Sequence, residues 1–181
     1  MIWRSGHPDR VDAAGWAELR GWGVRTVVDL RNPAERSGAS DAVDGIRVLS
    51  LPLEDVDDVD DPEYTTIWEN DWATPDFYVW GRAHWPELWS AVLHAVAESP
   101  GGVLLHCAGG RDRTGMVVAV LLEMAGVERA AILDDYVRGI RESSRHDIDD
   151  HVDDYRAALN RLLDGLQPEP ELRRAAARLT G

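Results

Sequence analysis

The chain has 181 residues, of which 44% are hydrophobic, and a formal net charge of −14 at neutral pH. This length and apolar content predict a single domain over residues 1–181 and argue against a disordered chain. The charge argues against nucleic-acid binding and against stable membrane association, because no basic stripe is present to neutralise phosphate groups. One cysteine and an N-terminus without the apolar run of a signal peptide lead us to expect a cytoplasmic protein.

The first part of the chain alternates a predicted helix with predicted strands. Residues 12–23 have the pattern of a short helix, with Asp12 as its N-cap and glycines at its end. Residues 24–30 and 46–53 are rich in β-branched side chains and are bounded by turn residues, which is typical of buried strands.

Residues 54–85, the acidic segment, contain many acidic and aromatic residues without a clear period. We predict an excursion of the chain near one edge of the sheet, of the length seen in lids and binding loops. A solvated acidic loop that is held in place by its tryptophans is an equally good interpretation.

The second part of the chain continues the alternation, with a strand predicted at 102–107. The helix predicted at 114–126 is apolar on nearly every side, which is typical of a helix buried in the middle of a domain. Amphipathic helices are predicted at 86–99, 128–140 and 148–166. This order predicts an α/β fold with a mainly parallel central sheet flanked by helices, and a ligand site at the carboxyl ends of the strands.

The only cysteine lies in the stretch HCAGGRDRTG, residues 106–115, between a predicted strand and a predicted helix. The backbone N–H groups of Ala108, Gly109 and Gly110 can point inward around an anion there. The dipole of the following helix adds positive potential at the same place. We therefore expect a phosphate-binding site and call residues 106–115 the phosphate loop.

Cys107 and Arg113 are separated by five residues, so one turn of the loop can bring thiol and guanidinium to the same oxyanion. The planar fork of Arg113 can hold two phosphate oxygens. The loop amides and the helix dipole favour the thiolate, which makes Cys107 the predicted nucleophile rather than an inert core thiol. Thr114 can donate a hydrogen bond to the sulfur, and His106 is expected to hydrogen-bond within the loop.

The phosphate loop resembles that of the cysteine-dependent protein tyrosine phosphatases. It is most similar to the HCxAGKDRTG signature of the bacterial tyrosine phosphatases related to mycobacterial tyrosine phosphatase B. Three further stretches occur in the order that this family shows: WRSG at 3–6, GVRTVVDLR at 23–31 with Glu35 after it, and ILDDYVRG at 132–139. The resemblance implies a cysteine-phosphatase-like fold and hydrolysis through a cysteinyl-phosphate intermediate, without a metal or other cofactor.

Two positions of the loop depart from that signature. Gly109 stands where the family has alanine, and Arg111 stands where it has lysine. As the counterpart of the family's lysine, Arg111 is expected to direct its charge towards the mouth of the pocket and attract the phosphorylated substrate. Both differences bear on substrate preference rather than on the chemistry.

A phosphate ester with a poor leaving group needs an acid within reach of the departing oxygen. We expect this acid to be Asp112, because lipid phosphatases that resemble this superfamily use an aspartate in the same Asp-Arg-Thr setting. The alternative candidates for the acid are Asp29, Asp71 and Asp76. If one of them is the acid, Asp112 only braces the loop by accepting backbone hydrogen bonds. Asp29 and Arg31, at the end of a predicted strand, are also expected either to face the site and support it or to pair with neighbours such as Glu35.

The resemblance favours a protein tyrosine or dual-specificity phosphatase acting on a phosphorylated protein or a small phosphate ester. The alternatives are a phosphoinositide or small-molecule phosphatase, and a module that binds phosphorylated ligands without turnover. His146 with Asp150, and Asp147 with His151, have the i,i+4 spacing of metal ligands. Carboxylate-rich helix faces are commonly just solvated, so we expect no metal.

Overall fold

The computed structural model describes residues 1–9, 11–36, 45–55, 62–71, 75–143, 151–166 and 170–180. This part of the chain forms one sheet of four strands in the order β1-β4-β2-β3, and every neighbouring pair is parallel. The strands are β1 (Ile2–Ser5), β2 (Val24–Asp29), β3 (Arg47–Ser50) and β4 (Gly102–His106). The prediction of an α/β fold with a parallel sheet is therefore confirmed.

Helices flank this sheet, and a short 3-10 turn at Pro33–Glu35 follows β2. The helices are α1 (Ala13–Gly21), α2 (Pro62–Asp71), α3 (Pro75–His84), α4 (Pro86–Glu98), α5 (Asp112–Met124), α6 (Arg129–Ser143), α7 (Val152–Asp164) and α8 (Pro170–Thr180). Asp12 caps α1 as predicted, because its side chain accepts a hydrogen bond from the Gly15 amide at 2.9 Å. Strand β1 and helix α8 were not predicted from the sequence.

The structure shows two helices in the acidic segment, for which the sequence predicted an excursion of the chain or a solvated loop. Residues 62–71 and 75–84 are helical, as α2 and α3. Tyr64, Phe77 and Tyr78 are buried there and pack with the other aromatic rings of the segment. Burial of these rings against the domain stabilises the two helices, although their sequences have only a weak helical periodicity. Residues 56–61 and 72–74 lie outside the described residues, and a lid function remains a prediction.

Helix α5 is the central helix of the domain, as its apolar sequence predicted. Its side chains from Thr114 to Leu121 are all buried, and it packs against β4, α3, α6, α7 and α8. Strand β4 is buried along its whole length and ends at His106. The phosphate loop therefore connects a buried strand to a buried helix. Within the described ranges, no helix is both long and apolar enough to cross a membrane.

Candidate active site

The phosphate loop lies at the carboxyl end of β4, between two strands that end at the same level. Ser5 of β1 and Asp29 of β2 both pair in register with His106 of β4. The next residue, Cys107, is 2% exposed. The loop therefore occupies the edge where ligand sites of parallel sheets are found.

Close contact with the end of β1 fixes the backbone of the loop. Gly110 has a φ of +70°, and a Cβ there would come within 2.5 Å of the Ser5 carbonyl oxygen. Only glycine fits this position. A Cβ at Gly109 would meet nothing closer than 3.9 Å, so the alanine of the family signature would fit there too. The His7 amide donates a hydrogen bond to the Ala108 carbonyl oxygen at 3.0 Å and holds the outer side of the loop.

Two buried polar side chains, those of Thr114 and His106, belong to the loop that carries Cys107. The Thr114 hydroxyl is completely buried and has no hydrogen-bond partner among the described residues. The His106 Nδ1 atom lies 3.3 Å from the Cys107 carbonyl oxygen. Burial lowers the pKa of His106, although Asp29 opposes this effect. A neutral imidazole that donates to the loop backbone is the state that this environment favours.

Asp29, the last residue of β2, pairs with Arg31 two residues later. Its Oδ1 accepts from the Arg31 amide and Nε, each at 3.0 Å, and its Oδ2 accepts from Nη2 at 2.9 Å. Burial opposes ionisation, but these hydrogen bonds lower the pKa of Asp29. A completely buried, ionised carboxylate is a poor proton donor, so the geometry favours support of the strand ends rather than acid catalysis.

Arg113 is held by two glutamates from other parts of the chain. Glu35 accepts hydrogen bonds from Nη1 and from Nη2, the latter at 2.6 Å. The Glu54 Oε1 atom lies 3.7 Å from Nε. From the sequence, Glu35 was expected only as part of the family pattern and as a pairing neighbour of Asp29 and Arg31. Glu54 was not predicted, because no local pattern links a residue so far from the loop with Arg113. The pairing with Glu35 orients the guanidinium at the mouth of the loop.

Arg111 and Asp112 form a pair within the loop itself. The Arg111 Nε atom donates to both carboxylate oxygens of Asp112 at 2.9 Å. Burial raises the pKa of Asp112, while the Arg111 charge opposes the rise. A carboxyl whose pKa is raised retains its proton to higher pH, which is the property required of a general acid.

Asp76, one of the alternative acids, is paired with an arginine. Asp76 binds Arg161 of α7, at 2.8 and 2.5 Å from the guanidinium nitrogens. The side chain of Asp71 lies outside the described residues. Residues 144–150, which carry most of the metal-ligand pattern noted in the sequence, lie outside them too.

A cavity of about 480 Å³ adjoins the outer side of the phosphate loop. The Arg4 guanidinium lies at this cavity and donates to Asp135 at 2.7 Å and to the Gly110 carbonyl oxygen at 3.4 Å. Gly139 of α6 leaves room for it, because a Cβ there would lie 2.3 Å from Arg4 Nη2. The WRSG stretch, the phosphate loop and the ILDDYVRG stretch thus meet at one place.

Known proteins resemble the chain over most of its length. It is 34% identical to the triple specificity protein phosphatase PtpB of Mycobacterium tuberculosis over 167 residues, which cover 76% of this chain and 60% of PtpB. It is 29% identical to a tyrosine-protein phosphatase of Nostoc commune over 122 residues, which cover 65% of this chain and 41% of that protein. The solved structure of P. aeruginosa TpbA is 27% identical, covers 98% of this chain and 86% of its own, and has a TM-score of 0.44.

The chain therefore spans only part of the length of PtpB and of the Nostoc commune phosphatase. A sequence profile described as the tyrosine phosphatase family matches residues 1–177. The matched range includes all the stretches that meet at the loop: the end of β1, the segment after β2, the loop itself and α6. Because the profile covers nearly the whole chain, this chain belongs to the tyrosine phosphatase family.

Proposed function

We propose that this chain hydrolyses phosphate monoesters through a cysteinyl-phosphate intermediate, as a protein tyrosine or dual-specificity phosphatase. The observation that carries the proposal is the loop at the N-terminus of α5, with Cys107 at one end and the glutamate-held Arg113 at the other. The names of the M. tuberculosis and N. commune relatives, both phosphatases, support it. A cytoplasmic location is part of this proposal.

In the first step, the Cys107 thiolate attacks phosphorus, and an S–P bond forms as the ester P–O bond breaks. Arg113 and the backbone N–H groups of residues 108–110 hold the phosphate oxygens as charge shifts onto the leaving oxygen. The Asp112 carboxyl gives its proton to that oxygen. The raised pKa of Asp112 supports this role, because the carboxyl must be protonated before the step.

In the second step, water attacks phosphorus and transfers a proton to the Asp112 carboxylate. The S–P bond breaks, inorganic phosphate is released and the thiolate of Cys107 is regenerated. The buried Thr114 hydroxyl, which has no partner within the part of the chain that the structure describes, is the donor assigned to the leaving sulfur. This hydrogen bond stabilises the departing thiolate and not the intermediate, so it accelerates hydrolysis.

A phosphorylated protein or a small phosphate ester is the proposed substrate. The net charge of −14 favours these over phosphoinositides, because an acidic surface is repelled by anionic headgroups. The cavity at the outer side of the loop, which Arg4 and Arg138 line, is a candidate place for part of a peptide substrate.

Phosphate release from a phosphotyrosine peptide and from an aryl phosphate, without added metal, tests the proposal. We expect turnover by the wild type, and a loss of several orders of magnitude in Cys107→Ser with the same circular dichroism spectrum. A Cys107→Ser protein that keeps about one tenth of the turnover or more would exclude the mechanism. Absence of turnover in the wild type, with retained vanadate binding, would instead identify a binding module.

A further inference from the structure

Glu54 is a buried carboxyl that the two chemical steps do not use. Glu54 lies four residues after the end of β3 and is 5% exposed. Its Oε2 atom accepts a hydrogen bond from Asn32 Nδ2 at 3.1 Å. Its other oxygen, Oε1, faces Nε of Arg113 at 3.7 Å. The arrangement places a titratable group directly against the phosphate-binding arginine.

The guanidinium of Arg113 has two forks of parallel N–H groups. One fork consists of Nη1 and Nη2, and the other consists of Nε and Nη2. Glu35 accepts from Nη1 and Nη2 and so occupies the first fork. The second fork is left for two phosphate oxygens, and Glu54 Oε1 lies beside its Nε. A substrate phosphate and Glu54 therefore approach the same N–H group.

The surroundings of Glu54 raise its pKa above that of an exposed glutamate. Burial raises the pKa and the Glu35 charge adds to the rise, whereas the Arg113 charge and the hydrogen bonds with Asn32 and Tyr78 oppose it. The hydroxyl of Tyr78 on α3 lies beside the carboxyl, and Tyr64 on α2 also faces it. If Glu54 were ionised, two carboxylates would share one guanidinium in a place with little water, which is unfavourable.

We propose that Glu54 is a positioning residue whose proton controls the phosphate grip of Arg113. With its proton, Glu54 is a neutral group beside Nε of Arg113 and leaves the second fork to the substrate. Without the proton, it presents an anion at that fork and weakens phosphate binding. The proposal rests on the phosphatase function given above, and it assigns Glu54 to binding rather than to a bond-making step.

The sign of the pH effect follows from proton linkage. A bound dianion disfavours a second negative charge beside it, so it strengthens the hold of Glu54 on its proton. Oxyanion affinity is then constant while Glu54 is protonated. Above the titration of Glu54, affinity falls by up to about tenfold for each pH unit, because one proton must be taken up on binding.

Tungstate binding followed by tryptophan fluorescence tests this without turnover. Tungstate is a tetrahedral dianion, and the titration runs from about pH 5 to pH 9, where buried carboxyls titrate. Glu54→Gln carries a neutral amide of nearly the same shape. We expect it to match the wild type at the acidic end and to lack the decline that Glu54 causes at higher pH. Glu87→Gln, at an exposed position on α4, should follow the wild-type curve throughout.

Steady-state kinetics distinguish a role of Glu54 in positioning Arg113 from a general effect of the substitution on folding. We expect the KM for an aryl phosphate to rise with pH in the wild type more than in Glu54→Gln, with kcat little affected by the substitution. An identical pH dependence of tungstate affinity in both proteins would overturn the proposal, and so would weak binding by Glu54→Gln at every pH. If the chain lacked phosphatase activity altogether, tungstate would still bind, so failure of the proposed function would be recognised separately.

Discussion

Arg111 and Arg113 lie two residues apart in the phosphate loop, and each is paired with a carboxylate, but the origins of the two carboxylates differ. Arg111 binds Asp112, its neighbour in sequence, whereas Arg113 binds Glu35, 78 residues away. The Arg113 side chain is 11% exposed and that of Arg111 is 32% exposed. The tertiary structure thus fixes Arg113 in a place with little water, and solvent screens the local pair more strongly.

Arg113→Lys should lower turnover more than any substitution of Arg111. A lysine ammonium cannot hold Glu35 and two phosphate oxygens in fixed directions at the same time. We expect kcat for an aryl phosphate to fall by about 10²–10³-fold, the usual cost of losing one preorganised donor to a transition-state oxyanion. Steady-state kinetics measure this, with circular dichroism as the check on folding. A loss below about tenfold would contradict a bidentate role.

Asp112→Ala should give the next largest effect, and one that depends on the substrate. For phenyl phosphate, whose leaving group needs a proton, we expect turnover to fall by about 10²-fold or more. For nitrophenyl phosphate, whose leaving group needs little protonation, the loss should be much smaller. Equal losses for both esters would remove Asp112 from the role of general acid.

The same substitution should change the pH profile. Burial raises the pKa of Asp112, so its acid form persists to higher pH and is lost as pH rises through that pKa. The basic limb of kcat for phenyl phosphate should therefore be present in the wild type and absent from Asp112→Ala. A basic limb that remains unchanged would assign the proton donor to another group.

Arg111→Lys should give the smallest effect. The partly exposed pair with Asp112 contributes at most about 1 kcal/mol, and a lysine retains the charge. We expect kcat/KM for an aryl phosphate to change by no more than about fivefold. Equal losses of activity in Arg111→Lys and Arg113→Lys would contradict this comparison. The two arginines would then contribute equally to turnover, although only Arg113 is paired with a distant carboxylate.

The sequence alone determined the parts of this protein that depend on neighbours in the chain. The strand, loop and helix over residues 102–126 were predicted with their order and chemistry, because strand propensity, glycine and helix start all act locally. The Asp12 cap and the parallel sheet followed from equally local patterns. The roles of Cys107, Asp112 and Thr114 stay predictions that rest on the same stretch of sequence.

The tertiary structure alone decided which distant side chains meet at the loop. Glu35 and Glu54 both face Arg113. No sequence periodicity connects them with it, because these contacts depend on the pairing of β2 with β3 and with β4 in the sheet. Helices α2 and α3 were missed for a related reason. Their sequence has a weak amphipathic pattern, and burial of aromatic rings against the domain stabilises them where local propensity does not.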